Sequence, residues 1–166
     1  DKRSLNVAGT GFDVDVLITE AKLRKVLSGS FCYYMSLLTT LFTLKFRNFT
    51  ITVDKEQHID EKCLIVALAN GKYFGGGMPI SLESDISDGE MQLVVVRKLP
   101  FYRIPGLLIK FMSGRLKEDT RYVDVYDCTE VSCKVRPEVK INIDGELIDM
   151  PEFTAVLQKS GLTVFG

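Results

Sequence analysis

Oxygen-bearing side chains gather beside glycines in four short stretches of this 166-residue chain. Residues 6–13 place Gly9 and Gly11 two positions apart, then Asp13 two positions later. Glycine lets a ligand approach the backbone closely, and the carboxylate accepts a hydrogen bond from a hydroxyl. The third glycine of a dinucleotide fingerprint is missing and no βαβ pattern surrounds the pair, so that chemistry is excluded. A tight junction between strand and helix is the competing reading. Residues 70–79 hold four glycines, Gly71, Gly75, Gly76 and Gly77, after an apolar run. Ordering consecutive glycines is entropically unfavourable, so they mark unusual dihedrals or a bare surface beside a ligand, or else a crowded crossover loop. Residues 83–90 carry Glu83, Asp85, Asp88 and Glu90 around a turn, an oxygen-rich set that suits magnesium better than an EF-hand calcium ion. A solvated acidic turn predicts the same letters. Asp144-Gly145-Glu146 projects two carboxylates beyond a strand end, where an acid can take a proton from an attacking hydroxyl; a plain hairpin turn is the alternative.

Other chemistries lack the residues they need. His58 is the single histidine, so two-histidine sites are excluded, and its polar surroundings predict a solvated turn. Cys32, Cys63, Cys128 and Cys133 sit in apolar or alternating segments without zinc spacing and are expected to be buried free thiols. The net charge of −1 argues against nucleic acid as a partner. The uncharged run 26–44 is no membrane span, because Ser28, Gly29, Ser30, Ser36, Thr39, Thr40 and Thr43 interrupt it. The chain opens at Asp1-Lys2-Arg3 without an initiator Met and is expected to be a fragment.

The elements that must position these stretches are mostly strands. Phe49, Ile51 and Val53 alternate, as do Val123 and Val125, then Val131, Cys133 and Val135, then Val139, Ile141 and Ile143. Residues 63–69 are apolar throughout and 91–96 are apolar except at Gln92, as expected of central strands covered on both faces. Two segments follow the helical period. One runs through Phe31, Tyr34, Met35, Leu38, Leu41 and Phe42, with an apolar face expected to be buried. The other runs through Ile104, Leu107, Leu108, Phe111 and Met112, with Pro105 at its start and Gly114 at its end. A shorter helical turn is expected over residues 17–27, closed by Ser28-Gly29. The expected fold is mainly β: a single-domain antiparallel β-sandwich with two or three helices packed on it.

In their order and separation the four stretches resemble the C-terminal domain of the soluble bacterial diacylglycerol kinase-like lipid kinases, relatives of sphingosine and ceramide kinases. The resemblance rests on residues 6–13, on Asn70-Gly71 with Gly75-Gly76-Gly77, on Pro79 followed by Asp88-Gly89, and on Asp144-Gly145-Glu146. It covers nearly the whole chain and implies a two-domain enzyme that phosphorylates the hydroxyl of diacylglycerol or a similar lipid alcohol in a cleft between domains. The family binds ATP through a Gly-Gly-Asp-Gly-Thr motif that this chain lacks, so the fragment is expected to be inactive alone. The resemblance further implies Glu146 as the base, with Asp144 as second choice or orienting group. It implies a structural Mg2+ at Asp85, Asp88 and the carbonyl of Glu90, and substrate contacts from Asp13 and the three consecutive glycines. Segment 31–44 and the loop 74–78 would line a lipid trough, though ordinary core packing predicts the same aromatics; Lys110, Arg115 and Lys117 beside Phe111 and Met112 could make transient contact with a membrane surface, a solvated basic helix end being the favoured reading. A cytoplasmic enzyme peripheral to the membrane, with homodimerisation open, is the corresponding expectation. A non-catalytic β-sandwich binding module is the alternative, and the equivalent domain of a nicotinamide nucleotide kinase a further one.

Overall fold

The computed structural model describes residues 3–74, 77–150 and 152–159. Its organising element is the long strand β3 (Gln57–Ala69). Leu64 to its end is apolar at every position, so water is tolerated on neither face, and both are covered. Val66 and Leu68 join one buried cluster while Ala67 and Ala69 join another. Strand β6 (Met91–Arg97) divides in the same way: Leu93 and Val95 on one side, Val94 and Val96 on the other. These are the two central strands expected from their continuous apolar runs.

The remaining strands fix the layers. Cys63 pairs with Arg47 of β2 (Arg47–Val53) and with Arg97 of β6, so β2 and β6 occupy opposite edges of β3. Ile65 pairs with Gly11 of β1 (Val7–Gly11) and with Val96, so β1 follows β2 along the same edge. The ladder to β6 shifts register between Cys63 and Ile65, where β3 passes from one layer to the other. Beyond these lie β7 (Val123–Cys128), β8 (Glu130–Arg136), β9 (Ile141–Ile143), β10 (Glu146–Ile148) and β11 (Glu152–Val156). The path reads β10-β9-β1-β3-β2-β8-β11, with β6 and then β7 on the other edge of β3, and every pairing is antiparallel. Phe49, Ile51 and Val53 of β2 and Val131, Cys133 and Val135 of β8 pack on the β3 and β6 side chains, closing the curled sheet into a sandwich. A two-stranded ribbon, β4 (Tyr73–Phe74) with β5 (Met78–Pro79), stands apart.

Among the described residues three helices lie over the second face of the central strands, two packed against it and the third packed chiefly on one of those two. Helix α3 (Ile104–Met112) has the expected bounds, with Pro105 in its first turn and Gly114 at φ 71° just past its end. Helix α1 (Phe12–Leu23) departs from expectation: it begins directly at the end of β1 instead of at residue 17. Helix α2 (Gly29–Leu41) is shorter than the predicted 31–44, and Gly29 opens it instead of closing the preceding turn. Its apolar stripe is also reversed. Cys32, Ser36, Leu37 and Thr40 are the buried residues, while Phe31, Tyr34, Leu38 and Phe42 are exposed. Small side chains let α2 approach α1 closely, and Thr40 donates to Thr19 Oγ1 at 3.1 Å across the contact. Periodicity marks a stripe, but close packing selected the other one.

The polar turn at residue 54 is held by Asp54, whose Oδ1 accepts from the Thr129 and Glu130 amides at 2.9 and 2.8 Å. His58 lies beyond this turn, exposed on β3, with Nδ1 3.0 Å from Thr52 Oγ1. All four cysteines are buried and free, and burial pushes the Cys63, Cys128 and Cys133 thiols up to about 12.

Candidate functional site

Gly11 is where β1 becomes α1. Its φ is 106°, and a Cβ there would stand 2.6 Å from the Leu64 carbonyl oxygen of β3, so a larger residue is excluded on both counts. The abrupt junction delivers Asp13 into the first turn of α1. Gly9 makes room for it: a Cβ on Gly9 would meet Asp13 Oδ2 at 2.4 Å. Gly9 is paired with Asn142 of β9, and that register brings the Asn142 amide over the same carboxylate, donating from Nδ2 to Oδ2 at 3.2 Å. Asn142 Oδ1 in turn accepts from the Gly145 amide at 2.9 Å. Asp13 Oδ1 is buried without a hydrogen-bond partner. Desolvation pushes the Asp13 carboxyl up to about 7, and the bond from Asn142 only partly opposes it.

Asp144 does different work. It sits in the β9–β10 turn at φ 49°, followed by Gly145 at 97°, the left-handed pair that closes a two-residue hairpin. Its Oδ1 accepts from Ser4 Oγ at 3.0 Å, the Asn6 amide at 3.1 Å and the Val7 amide at 2.9 Å. Oδ2 accepts from the Leu5 amide at 2.7 Å. Both oxygens are thus committed to holding residues 4–7 against the turn. Asn6 extends the connection: its carbonyl accepts from the Asn70 and Gly71 amides, each at 2.9 Å, and its Nδ2 donates to the Tyr73 carbonyl at 2.8 Å. A Cβ on Gly71 would lie 2.0 Å from Asn6 Oδ1. Three of the four stretches singled out in the sequence therefore meet at one place.

A cleft of about 180 Å³ opens there. Asn6, Asp13, Asn142, Asp144 and Gly145 form its polar end; Phe12, Val16 and Leu17 of α1, Tyr33 and Leu37 of α2, and Phe111 of α3 supply apolar wall. Burial and the nearby Asp13 push the Tyr33 phenol up to about 12, so it keeps its proton. The arrangement suits a ligand with a hydroxyl at one end and hydrocarbon at the other.

The other expected site residues fall elsewhere. Glu146 begins β10 on the exposed side of the turn, outside the cleft lining, with no hydrogen bond or ion pair among the described residues. Gly77 has a φ of 77° with open space around it and does not line the cleft; Gly75 and Gly76 lie outside the described residues. In the acidic loop, Asp85 Oδ1 accepts from the Ser87 hydroxyl at 2.6 Å and the Ser87 amide at 2.9 Å, which hold its carboxyl below the usual range. Asp88 Oδ1 accepts from the Glu90 amide at 2.8 Å. Each aspartate keeps Oδ2 without a partner among the described residues, so the loop has oxygens to offer a hard cation. No group of three or more His, Cys, Asp or Glu side chains is gathered for a metal among the described residues. Lys110, Arg115 and Lys117 are all engaged, with Asp119 at 3.1 Å, Glu118 at 2.7 Å and Glu83 respectively. No described helix is long and apolar enough to cross a membrane.

Asn142 is the residue that sequence reasoning missed. Its signal was available: a lone amide between Ile141 and Ile143 in a strand, buried instead of solvated.

Residues 6–165 match the family described as the YegS C-terminal NAD kinase beta sandwich-like domain. A Staphylococcus carnosus (strain TM300) protein named "Putative lipid kinase" is 29% identical over 148 residues, covering 89% of this chain and 48% of its own. A Staphylococcus epidermidis (strain ATCC 12228) protein of the same name is 27% identical over 157 residues, covering 94% and 51%. The crystal structure of a diacylglycerol kinase from Bacillus anthracis str. Sterne superposes with a TM-score of 0.65 at 23% identity, over 93% of this chain and 50% of that one. The chain thus spans about half the length of the relatives it matches, and its β-sandwich is theirs.

Proposed function

Because this chain belongs to the YegS C-terminal NAD kinase beta sandwich-like domain family, we propose that it is the acceptor-binding half of an ATP-dependent lipid kinase, acting on the hydroxyl of diacylglycerol or a similar lipid alcohol. The observation that carries the proposal is the cleft: a carboxylate with one orphaned oxygen stands at its polar end, and three helices give it a hydrocarbon-compatible wall. In this reading the acceptor hydroxyl meets Asp13 and the chain follows Phe12, Leu37 and Phe111. ATP is bound by a part of a longer protein, and Asp85, Asp88 and the Glu90 carbonyl would hold an Mg2+ that would brace the acidic loop rather than act on the phosphates. Phosphoryl transfer depends chiefly on positioning and charge neutralisation, so a division of donor and acceptor between two domains is chemically sufficient.

The proton of the hydroxyl needs an acceptor. Glu146 is the proposed base on the family resemblance, although it stands outside the cleft lining at the start of β10, on the turn that Asp144 holds. One observation favours Asp13 as a second reading: it lines the cleft, and its carboxyl is pushed up to about 7, near the best value for a base at neutral pH. The test is phosphate transfer from ATP to diacylglycerol in mixed micelles by the longer protein containing this chain. Glu146→Gln lowering kcat by a factor of about 100 or more, with KM little changed, supports Glu146 as the base. Near-normal turnover in Glu146→Gln, together with loss of the acidic limb of the kcat profile in Asp13→Asn, moves the role to Asp13. Absence of transfer to any lipid alcohol defeats the kinase reading altogether.

A further inference from the structure

Asn142 is buried between the Asp13 carboxyl and the turn that carries Glu146, the two acids that compete for the role of base. Its neighbours decide which way its amide points. A backbone N–H can only donate, so the Asn142 atom 2.9 Å from the Gly145 nitrogen is the carbonyl oxygen Oδ1. The NH2 end is thereby turned to Asp13, where it donates to Oδ2 at 3.2 Å. Gly9, the register partner of Asn142, lies against the same oxygen, so close that a Cβ on Gly9 would stand 2.4 Å from it. Oδ2 is thus enclosed by strand backbone and a donor. Oδ1 is buried without a hydrogen-bond partner, on a side chain that lines the cleft.

We infer that Asn142 is a positioning residue for the acceptor hydroxyl: by holding Asp13 Oδ2 as an acceptor, it leaves Oδ1 as the oxygen that exchanges a hydrogen bond or a proton with the ligand. An O–H oxygen accepts less well than a carbonyl or carboxylate oxygen, so an oxygen that already accepts from an amide is the poorer place for the proton. The neutral acid accordingly carries its hydrogen on Oδ1, and the ionised acid presents Oδ1 as an unpaired acceptor. No Lys, Arg or His lines the cleft among the described residues. Asn142 therefore leads the groups that favour ionisation, ahead of the Val14 and Asp13 amides, against burial and the charge of Asp15 on the same helix. The other titratable neighbours are Tyr33 from α2, which keeps its proton, and Asp144, whose oxygens are filled; β1 contributes none. Because the same amide holds Gly145, next to Glu146, the role stands whichever acid is the base. The use of Oδ1 by a hydroxyl rests on the lipid-alcohol reading, whereas the place of the proton does not.

Carbon-13 in the aspartate carboxyls lets the Asp13 titration be followed by NMR and assigned by its loss in Asp13→Asn. The wild-type midpoint is expected at about 7. Asn142→Leu, which removes the donor, should raise it by about one pH unit. Asn142→Asp keeps an acceptor for the Gly145 amide but exchanges the donor for a second carboxyl, so two steps are expected, one below and one above the wild-type midpoint. That variant decides the matter if Asn142→Leu fails to fold. In the longer protein containing this chain, transfer from ATP to diacylglycerol in mixed micelles reads how the oxygen is used. Relative to wild type, kcat/KM of Asn142→Leu should fall about fivefold at about pH 7 and recover almost fully at about pH 9, where the carboxylate forms again. Unchanged midpoints in both Asn142 variants overturn the inference. So does an equal loss of kcat/KM at both pH values, the signature of a residue that merely supports the turn. A wild type that phosphorylates no lipid alcohol removes the kinase reading, and the titration, which needs neither lipid nor ATP, still decides which oxygen Asn142 leaves to the cleft.

Discussion

Asp13 carries a conflict that the fold has kept. A carboxylate in a partly apolar cleft, with one hydrogen bond from Asn142 and one oxygen unpaired, is stabilised less than it would be in water. Its folded value of about 7 stands above the ordinary 3.8. The folded state therefore holds this proton more tightly than the unfolded chain does. The contribution of Asp13 is most favourable below pH 3.8 and declines as pH rises to about 7, at up to about 1.4 kcal/mol per pH unit, then stays level. Asp13→Asn removes the titration: in urea unfolding it should gain stability over the wild type at about pH 8 compared with about pH 5. An identical difference at both values would contradict the burial of this charge. Asp144 is the opposite case, a carboxylate filled by four donors at a left-handed position. Asp144→Ala should cost about 2–3 kcal/mol, and Asp144→Asn less, because Asn tolerates the same φ. Both aspartates were legible in the sequence because glycines stand beside them. Asn142 was not, since its role comes from the pairing of Gly9 with Asn142, strands far apart in the chain.

At the scale of elements, what could be read depended on whether one pattern implied one environment. Residues 93–96 are apolar at every position, so this part of β6 had to be covered twice, and it is. Pro105 and Gly114 bracketed α3 because one suits a helix start and the other takes a positive φ at its end. In α2 the pattern was ambiguous. Two stripes repeat every three or four residues, one of large apolar side chains and one of Cys32, Ser36 and Thr40 around Leu37, and the fold buries the second. Neighbouring leucines test the orientation directly. Leu38→Ser, on the exposed stripe, should change unfolding free energy by no more than about 0.5 kcal/mol. Leu37→Ser, packed with Val16 and the cleft wall, should cost about 2–4 kcal/mol. Reversal of that order would mean that α2 is rotated about its axis.

For the molecule as a whole, the shared strand decides how the parts depend on one another. Residues 57–63 of β3 pair with β2, and residues 65–69 pair with β1, so neither layer is complete without the same stretch of chain. The cluster between the layers draws on both: Phe49 and Ile51 from one, Leu93 and Val95 from the other. Removing buried volume from one layer therefore removes contacts from the other, and the cleft, whose Asn142 and Asp144 hang on β1 through β9, loses its frame together with the core. The expected behaviour is a single unfolding transition in urea, with far-ultraviolet circular dichroism and tyrosine fluorescence superimposable. Phe49→Ala, fully buried on β2, should move both probes together by about 3–5 kcal/mol although it lies in the layer remote from the cleft. Two separated transitions, with Phe49→Ala shifting only one, would show that the layers fold independently and that β3 joins them without coupling them.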